Sequence, residues 1–266
     1  MNKSQGNVIN KRIVVRSKHG KMASLNKKIY ELLTEDGRNS IYHANSVVTS
    51  CQFLLSGALL SRGTMEQRKY YQTPQSSDHK DKKYGVWFDG FANFIDIHNS
   101  ANNVIFYGPV EFVIDIEILK SIYPAQVWVT KLNPIKWAKK SHEQRVFTSI
   151  EEFEKKFDPT NFDQMMMFRH CGGEISLMKY LREIILDDPR LSTEDGVDFF
   201  SMSYGAIKLA MHKGNIDVPV RRRDCDPRWC KCRTTYQNAY EKSLGMFFPG
   251  NIESNGHTSD WDDLFD

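Results

Sequence analysis

The chain carries none of the short nucleotide, metal or hydrolase signatures that can be read directly from a sequence. Neither G-x-G-x-x-G nor G-x-x-x-x-G-K-[ST] occurs, so a bound nucleotide would need a cleft of another design. There is no H-E-x-x-H, since His142-Glu143 stands alone. There is no G-x-S-x-G, which removes the nucleophile elbow that a Ser-His-Asp hydrolase needs. No apolar run reaches the ~18 residues of a spanning helix. The start, Met1-Asn2-Lys3-Ser4-Gln5, lacks the apolar core of a secretory signal. The 5 cysteines are odd in number and irregular in spacing, which argues against a disulfide framework and for a reducing compartment. Cys225, Cys230 and Cys232, with His212 upstream, are soft ligands. They lack a C-x-x-C pair and a clear fourth donor, so no metal is expected. No internal repeat is visible. A cytoplasmic protein with no membrane partner is the expectation.

What is present begins with a core-forming composition: 266 residues, 40% apolar and 12% aromatic. That is enough for one large domain. The net charge is only +3, but it is unevenly spread. The first thirty residues hold eight Lys or Arg and no acid, including Lys11-Arg12 and Lys27-Lys28. Further basic stretches lie at Lys131–Arg145, with Lys139-Lys140 at its centre, and at Arg221-Arg222-Arg223 through Arg233. The last sixteen residues reverse the sign, with Glu253, Asp260, Asp262, Asp263 and Asp266 and no base. Separated basic blocks can gather on one face and hold a phosphate backbone. Arg12, Lys139, Lys140, Arg221, Arg222 and Arg223 are therefore the candidate nucleic-acid contacts.

Periodicity places mixed elements along the chain. Val47, Cys51, Leu54 and Leu55 recur at helical spacing after a Ser46 cap, and Gly57 stops the helix. Residues 61–83 are polar and aperiodic, which predicts a long loop of the kind that is usually functional or disordered. Tyr84–Phe88 predicts a strand. Val110–Ile118 alternates, with Glu111, Asp115 and Glu117 on its polar face. Gln126–Lys131, Glu174–Leu177 and Ile184–Leu186 predict further strands. Ser149-Ile150-Glu151-Glu152 is a capping box that opens a helix to Phe157. Thr193–Lys213 and Thr234–Leu244 predict the last helices. Met165-Met166-Met167 predicts core. Strands and helices mix without strict alternation, which is an α+β pattern. A basic arm (1–25), a domain (26–248) and an acidic tail (249–266) complete the expected organisation.

Two segments carry chemistry. Ile41-Tyr42-His43-Ala44-Asn45 and Cys171-Gly172-Gly173-Glu174-Ile175-Ser176-Leu177 each put one chemically capable side chain into an apolar strand. With Phe106-Tyr107-Gly108-Pro109 and the polar stretch 61–83, they resemble in order the blocks of the ADP-ribosyltransferase superfamily, in particular its DarT-type branch, over roughly residues 40–190. The resemblance implies a split β-sheet with flanking helices and NAD as co-substrate. It implies that Tyr42, His43, Ala44, Asn45 and Tyr107 face the cofactor and that Glu174 is the catalytic carboxylate. It further implies transfer of ADP-ribose to an RNA or DNA base, a related branch of the family acting on messenger RNA. The setting would be a phage-defence toxin with an antitoxin and a chaperone as partners.

The chain departs from that pattern where DarT-type enzymes place a catalytic arginine. Asp78-His79-Lys80-Asp81-Lys82-Lys83-Tyr84 contains none, leaving Arg62 and Arg68 as candidate cations. The chemistry explains the residue types. Breaking a nicotinamide–ribose bond develops oxocarbenium charge that a nearby carboxylate stabilises, and the pyrophosphate pairs with a cation. Protein ADP-ribosylation and NAD hydrolysis are the enzyme alternatives. A non-catalytic nucleic-acid-binding protein is the alternative from another class.

Overall fold

A computed structural model describes residues 18–73, 75, 77–100, 107–122, 125–223, 225–226, 228 and 230–248, with side chains from residue 26 onward; Asn99 and Ser100 are described in backbone only. Arg12 and the acidic tail lie outside the described residues. The helices are α1 (Lys18–Glu35), α2 (Val47–Ser56), α3 (Arg62–Gln67), α4 (Asp78–Lys83), α5 (Ile97–Ser100), α6 (Ile118–Ser121), α7 (His142–Arg145), α8 (Ile150–Lys156), α9 (Phe199–Lys213), α10 (Cys232–Asn238) and α11 (Tyr240–Phe247). The strands are β1 (Ser40–Asn45), β2 (Ala58–Leu60), β3 (Gly90–Ala92), β4 (Val110–Asp115), β5 (Gln126–Val129), β6 (Met166–Arg169), β7 (Glu174–Ser176), β8 (Leu181–Leu186) and β9 (Val220–Arg222). The class is mixed α+β, and no described helix is long and apolar enough to cross a membrane.

The strands form three sheets, in the orders β1-β4-β8-β9, β2-β7 and β3-β6-β5. All pairings are antiparallel except β8 with β9. That parallel pair is joined through α9, because parallel neighbours need a long crossover. An isolated bridge, Tyr42 to Asn93, joins β1 to the end of β3. Ile41, Phe112, Ile114, Ile184 and Leu186 share one core with Phe53 and Leu54 of α2, Phe199 and Ile207 of α9, and Phe247 of α11. A smaller cluster, Val86, Trp137, Val146 and Met167, sits apart from it.

Several expectations hold. Ser46 and Gly57 bound α2, with Gly57 left-handed at φ 65. Ser149 caps α8 by accepting from the Glu152 amide. Met166 and Met167 are fully buried in β6.

Others are corrected by packing. The boundary at residue 25 falls inside α1, whose Ile29 and Leu33 are buried in the main core. Residues 61–83 are not one long loop. Ser61 caps α3 and α4 follows, both being helices too short to show an apolar stripe in sequence. Tyr84–Phe88 is a turn: Gly85 is left-handed at φ 68, and Val86 and Trp87 serve the core instead of a sheet. Val110–Ile114 are all buried, and Glu111 is only 2% exposed because it is enclosed with Arg223 and the Ile97 amide, both of which donate to it. The long helix starts at Phe199 with Asp198 as its cap, and the last one breaks into α10 and α11 at Ala239.

Candidate active site

Glu174 opens β7 directly opposite Leu60 of β2, and its exposed carboxylate pairs with the Arg68 guanidinium from the end of α3. Three left-handed residues, His170 (φ 57), Gly172 (φ 70) and Gly173 (φ 79), make the tight turn that delivers it. Gly173 allows a close approach as well. A Cβ there would lie 2.0 Å from Thr64 Oγ1 and 3.0 Å from Ser61 Oγ, while its carbonyl accepts from the Ser61 amide at 2.8 Å. The other end of the turn is tied down by buried Asp89. One of its oxygens accepts from Arg169 Nη1 at 2.6 Å and the other from the His170 amide at 3.3 Å. Burial raises the Asp89 carboxyl above its ordinary value, and Arg169 opposes that shift. Asp89 as a positioning residue was not legible in sequence, since a lone Asp after an aromatic run has no pattern.

His43 lies on β1 beside the Phe53 ring of α2, with centroids 5.7 Å apart. Its Nδ1 is 2.8 Å from the Phe91 carbonyl and so donates to it, which fixes the tautomer and leaves Nε2 an acceptor. That Nε2 is buried and has no hydrogen-bond partner among the described residues. Burial pushes the imidazole pKa down, against a smaller upward effect of the Phe91 bond, so the ring is neutral. The buried face of β7 packs against the same segment: a Cβ on Gly90, one residue before Phe91, would lie 2.2 Å from Ile175 Cδ1, while Glu174 points to the opposite, exposed face. The residue after Glu174 thus packs one position from the carbonyl that holds His43.

The other expected cofactor residues divide between two faces of β1, because successive strand side chains alternate. Ala44 is paired opposite Glu111 and, with Tyr107, lines a crevice formed with Gly108, His98, Asp187 and Arg223. Tyr42 is one of that alternate set, and burial followed by the charge of Glu111 raises its phenol above the ordinary value. Tyr107 packs edge-on against Phe162, with centroids 5.1 Å apart, and Gly108 behind it (φ 99) sits against the Asn45–Ser46 backbone, 2.3 Å from a would-be Cβ. Asn45 accepts from the Ser46 amide at 2.9 Å. Tyr42, His43 and Ala44 therefore cannot all meet one ligand on one side of the strand.

Arg62 is held inside the 61–83 region rather than offered outward. It pairs with Asp78, Nη2 to Oδ2 at 2.7 Å, and donates to the Thr73 carbonyl at 2.9 Å. Thr73 in turn donates to Ser46 Oγ at 3.0 Å, which docks this region onto the end of β1. Of the two candidate cations, only Arg68 reaches Glu174.

The basic blocks also separate. Lys139 and Lys140 are exposed. Arg221 pairs with Glu183 at 3.2 Å, and Arg222 pairs with Asp188 while lying 4.8 Å over the Phe200 ring. Arg223 is corrected outright as a surface cation. It is 8% exposed and is bound by three carboxylates, Asp96 at 2.5 Å, Glu111 at 2.6 Å and Asp187 at 2.5 Å. Burial, then the neighbouring Asp96, drives the Glu111 carboxyl well above its ordinary value. A run of three arginines says nothing of which one the strand turns inward.

A third constellation was only half visible. Cys225, Cys230 and Cys232 converge with His98, not with His212, and their four ligand atoms lie within 4.8 Å of one another. The histidine comes from α5, 127 positions before Cys225, which no local spacing could reveal.

Two cavities stand out among the described residues. The larger, about 170 Å³, is lined by Ile29, Val127, Trp128, Phe147 and Phe153, away from both His43 and Glu174. The smaller is the Ala44–Tyr107 crevice. No protein-family model and no curated protein sequence matches the chain.

Proposed function

We propose that the protein is an ADP-ribosyltransferase that uses NAD to modify a nucleic-acid base. The observation that supports this reading is the Glu174–Arg68 pair on a strand that packs beside the segment holding His43. Glu174 lies on the exposed face of β7, while Ile175 on the buried face packs against Gly90, next to the residue whose carbonyl sets the His43 tautomer. In the proposed reaction the C1′–N bond to nicotinamide breaks, and nicotinamide leaves with the bonding pair. A base nitrogen then bonds to C1′ and gives up its proton. Glu174 stabilises the oxocarbenium charge and is the group placed to accept that proton. Neutral His43 offers Nε2 as an acceptor for a ribose hydroxyl, which requires the side chains covering this buried atom to move aside. Arg68 pairs with the Glu174 carboxylate and orients it, and it is the cation available to the pyrophosphate. A toxin held in check by an antitoxin and a chaperone is the setting that accompanies this reading.

The test incubates purified protein with NAD and RNA or DNA and reads the nucleic acid by mass spectrometry. One added ADP-ribose is expected on RNA or DNA. Glu174→Gln should lower the yield about a hundredfold or more, the scale of losing one charge-stabilising group, with the urea midpoint unchanged. NAD consumed equally without nucleic acid would replace this reading by protein modification or NAD hydrolysis. Salt-sensitive nucleic-acid binding with no NAD consumed would replace it by the non-catalytic one.

A further inference from the structure

We propose that His98, Cys225, Cys230 and Cys232 form a closed, structural zinc site that staples the C-terminal helices to the sheet beneath β1. His98 Nε2 lies 2.9 Å from Cys230 Sγ and 3.3 Å from Cys225 Sγ, and Cys225 and Cys232 Sγ are 3.5 Å apart. Around one zinc, bond lengths of about 2.3 Å to sulfur and 2.0–2.1 Å to nitrogen put tetrahedral donors about 3.6–3.8 Å from one another. The observed separations fall within an ångström of that, a difference that side-chain rotation absorbs. All five cysteines are free thiols, so no disulfide competes for these sulfurs. Soft thiolates with one imidazole select zinc among the common divalent ions, and four donors converging on one point leave room for one ion rather than a cluster.

The surroundings are those of a ligand set. The backbone amide of Cys232 donates to Cys230 Sγ at 3.4 Å, and the chain folds back through Cys230 N to the Asp226 carbonyl at 2.9 Å. On the far side of the ring, His98 Nδ1 faces Asp187 Oδ2 at 3.4 Å, both side chains nearly buried. A carboxylate behind a histidine fixes the tautomer that leaves Nε2 free for metal. Asp187 also accepts from Arg223 Nε at 2.5 Å and from the Tyr236 hydroxyl at 2.7 Å. Arg223 continues to Glu111, which is paired across from Ala44. The zinc would thus tie α5 and the start of α10 to the strand carrying His43. With four protein donors it has no open position for substrate, so its role is structural.

The experiment is independent of NAD chemistry. The full chain, purified under reducing conditions without chelator, should contain one zinc by plasma emission spectrometry. Its cobalt(II) form should show the visible bands of a tetrahedral ion and a thiolate-to-cobalt charge-transfer band. Cys230→Ser should lose most of that band, and Asp187→Asn should weaken cobalt binding about 10–100-fold. Chelation should lower the melting temperature of the native chain and leave that of Cys230→Ser unmoved. A native chain that purifies without zinc and develops no charge-transfer band overturns the proposal whatever the variants do. A Cys225–Cys232 disulfide in freshly prepared reduced protein would overturn it equally.

Discussion

The turn that presents Glu174 offers a sharp test, because two adjacent glycines share a backbone conformation and differ in their surroundings. Gly172 and Gly173 have φ of 70 and 79. A Cβ on Gly172 would meet nothing within 4 Å, whereas one on Gly173 would lie 2.0 Å from Thr64 Oγ1. Left-handed backbone costs an L-residue roughly 1–2 kcal/mol, partly offset by the lower chain entropy of unfolded alanine. Gly172→Ala should therefore destabilise by about 1 kcal/mol. Gly173→Ala adds overpacking of about 1–3 kcal/mol, since Thr64 is buried, β-branched and fixed by the Ser61 hydroxyl at 3.0 Å. Its total should be about 3 kcal/mol, or roughly 6–12 °C in Tm for a chain of this size. Urea unfolding of both variants measures the difference. Thr64→Ala removes the clashing oxygen and leaves only the tight contacts of Ser61 Oγ at 3.0 Å and the residue 64 Cβ at 3.3 Å, so in that background Gly173→Ala should fall most of the way to the cost of Gly172→Ala, a coupling of about 1–3 kcal/mol. Equal costs for the two glycines, or no coupling to Thr64, would refute the close-approach argument. Under the proposed function, transfer activity should follow the same order, with Gly173→Ala the more damaged because its turn carries the carboxylate.

The remaining predictions concern charge. Arg223→Leu should cost about 3–5 kcal/mol in urea unfolding, because it strands two buried carboxylates, Glu111 and Asp187, and the part-buried Asp96; a loss under about 1 kcal/mol would mean the cluster relaxes into water. His43 has its pKa lowered by burial, so the unfolded chain binds the extra proton first. Its contribution to stability is then present above about pH 6.5 and lost as pH falls below that value. His43→Gln should flatten that acid limb relative to the native chain in pH-dependent urea curves, and an unchanged limb would contradict the assignment. If nucleic acid binds across Lys139 and Lys140, Lys139→Ala with Lys140→Ala should reduce the salt slope by about 0.9 for each duplex phosphate that the two lysines neutralise. An identical slope would place the binding face elsewhere.

Local signals determined much of the chain. Ser46 with Gly57, the Ser149 box and the apolar run around Ile184 produce α2, α8 and β8 because caps, helical spacing and strand runs act over a few residues. The strand opening at Glu174 was legible for the same reason, as was an α+β mixture, whereas the left-handed turn before it was not. Tertiary structure decided what depends on neighbours distant in sequence. It chose Arg68 over Arg62, because α3 is placed beside β7 by the β2–β7 pairing while Arg62 is drawn to Asp78. It turned Arg223 and Glu111 inward, because the guanidinium is held by Asp96, Glu111 and Asp187, which come from three separate segments. It split Tyr42 and Ala44 from His43, since strand alternation assigns faces only once a sheet exists to have them. It also brought His98 to three cysteines 127 and more positions away. Periodicity and caps are properties of a chain segment, whereas a site gathered from several sheets exists only when the long-range pairings have formed.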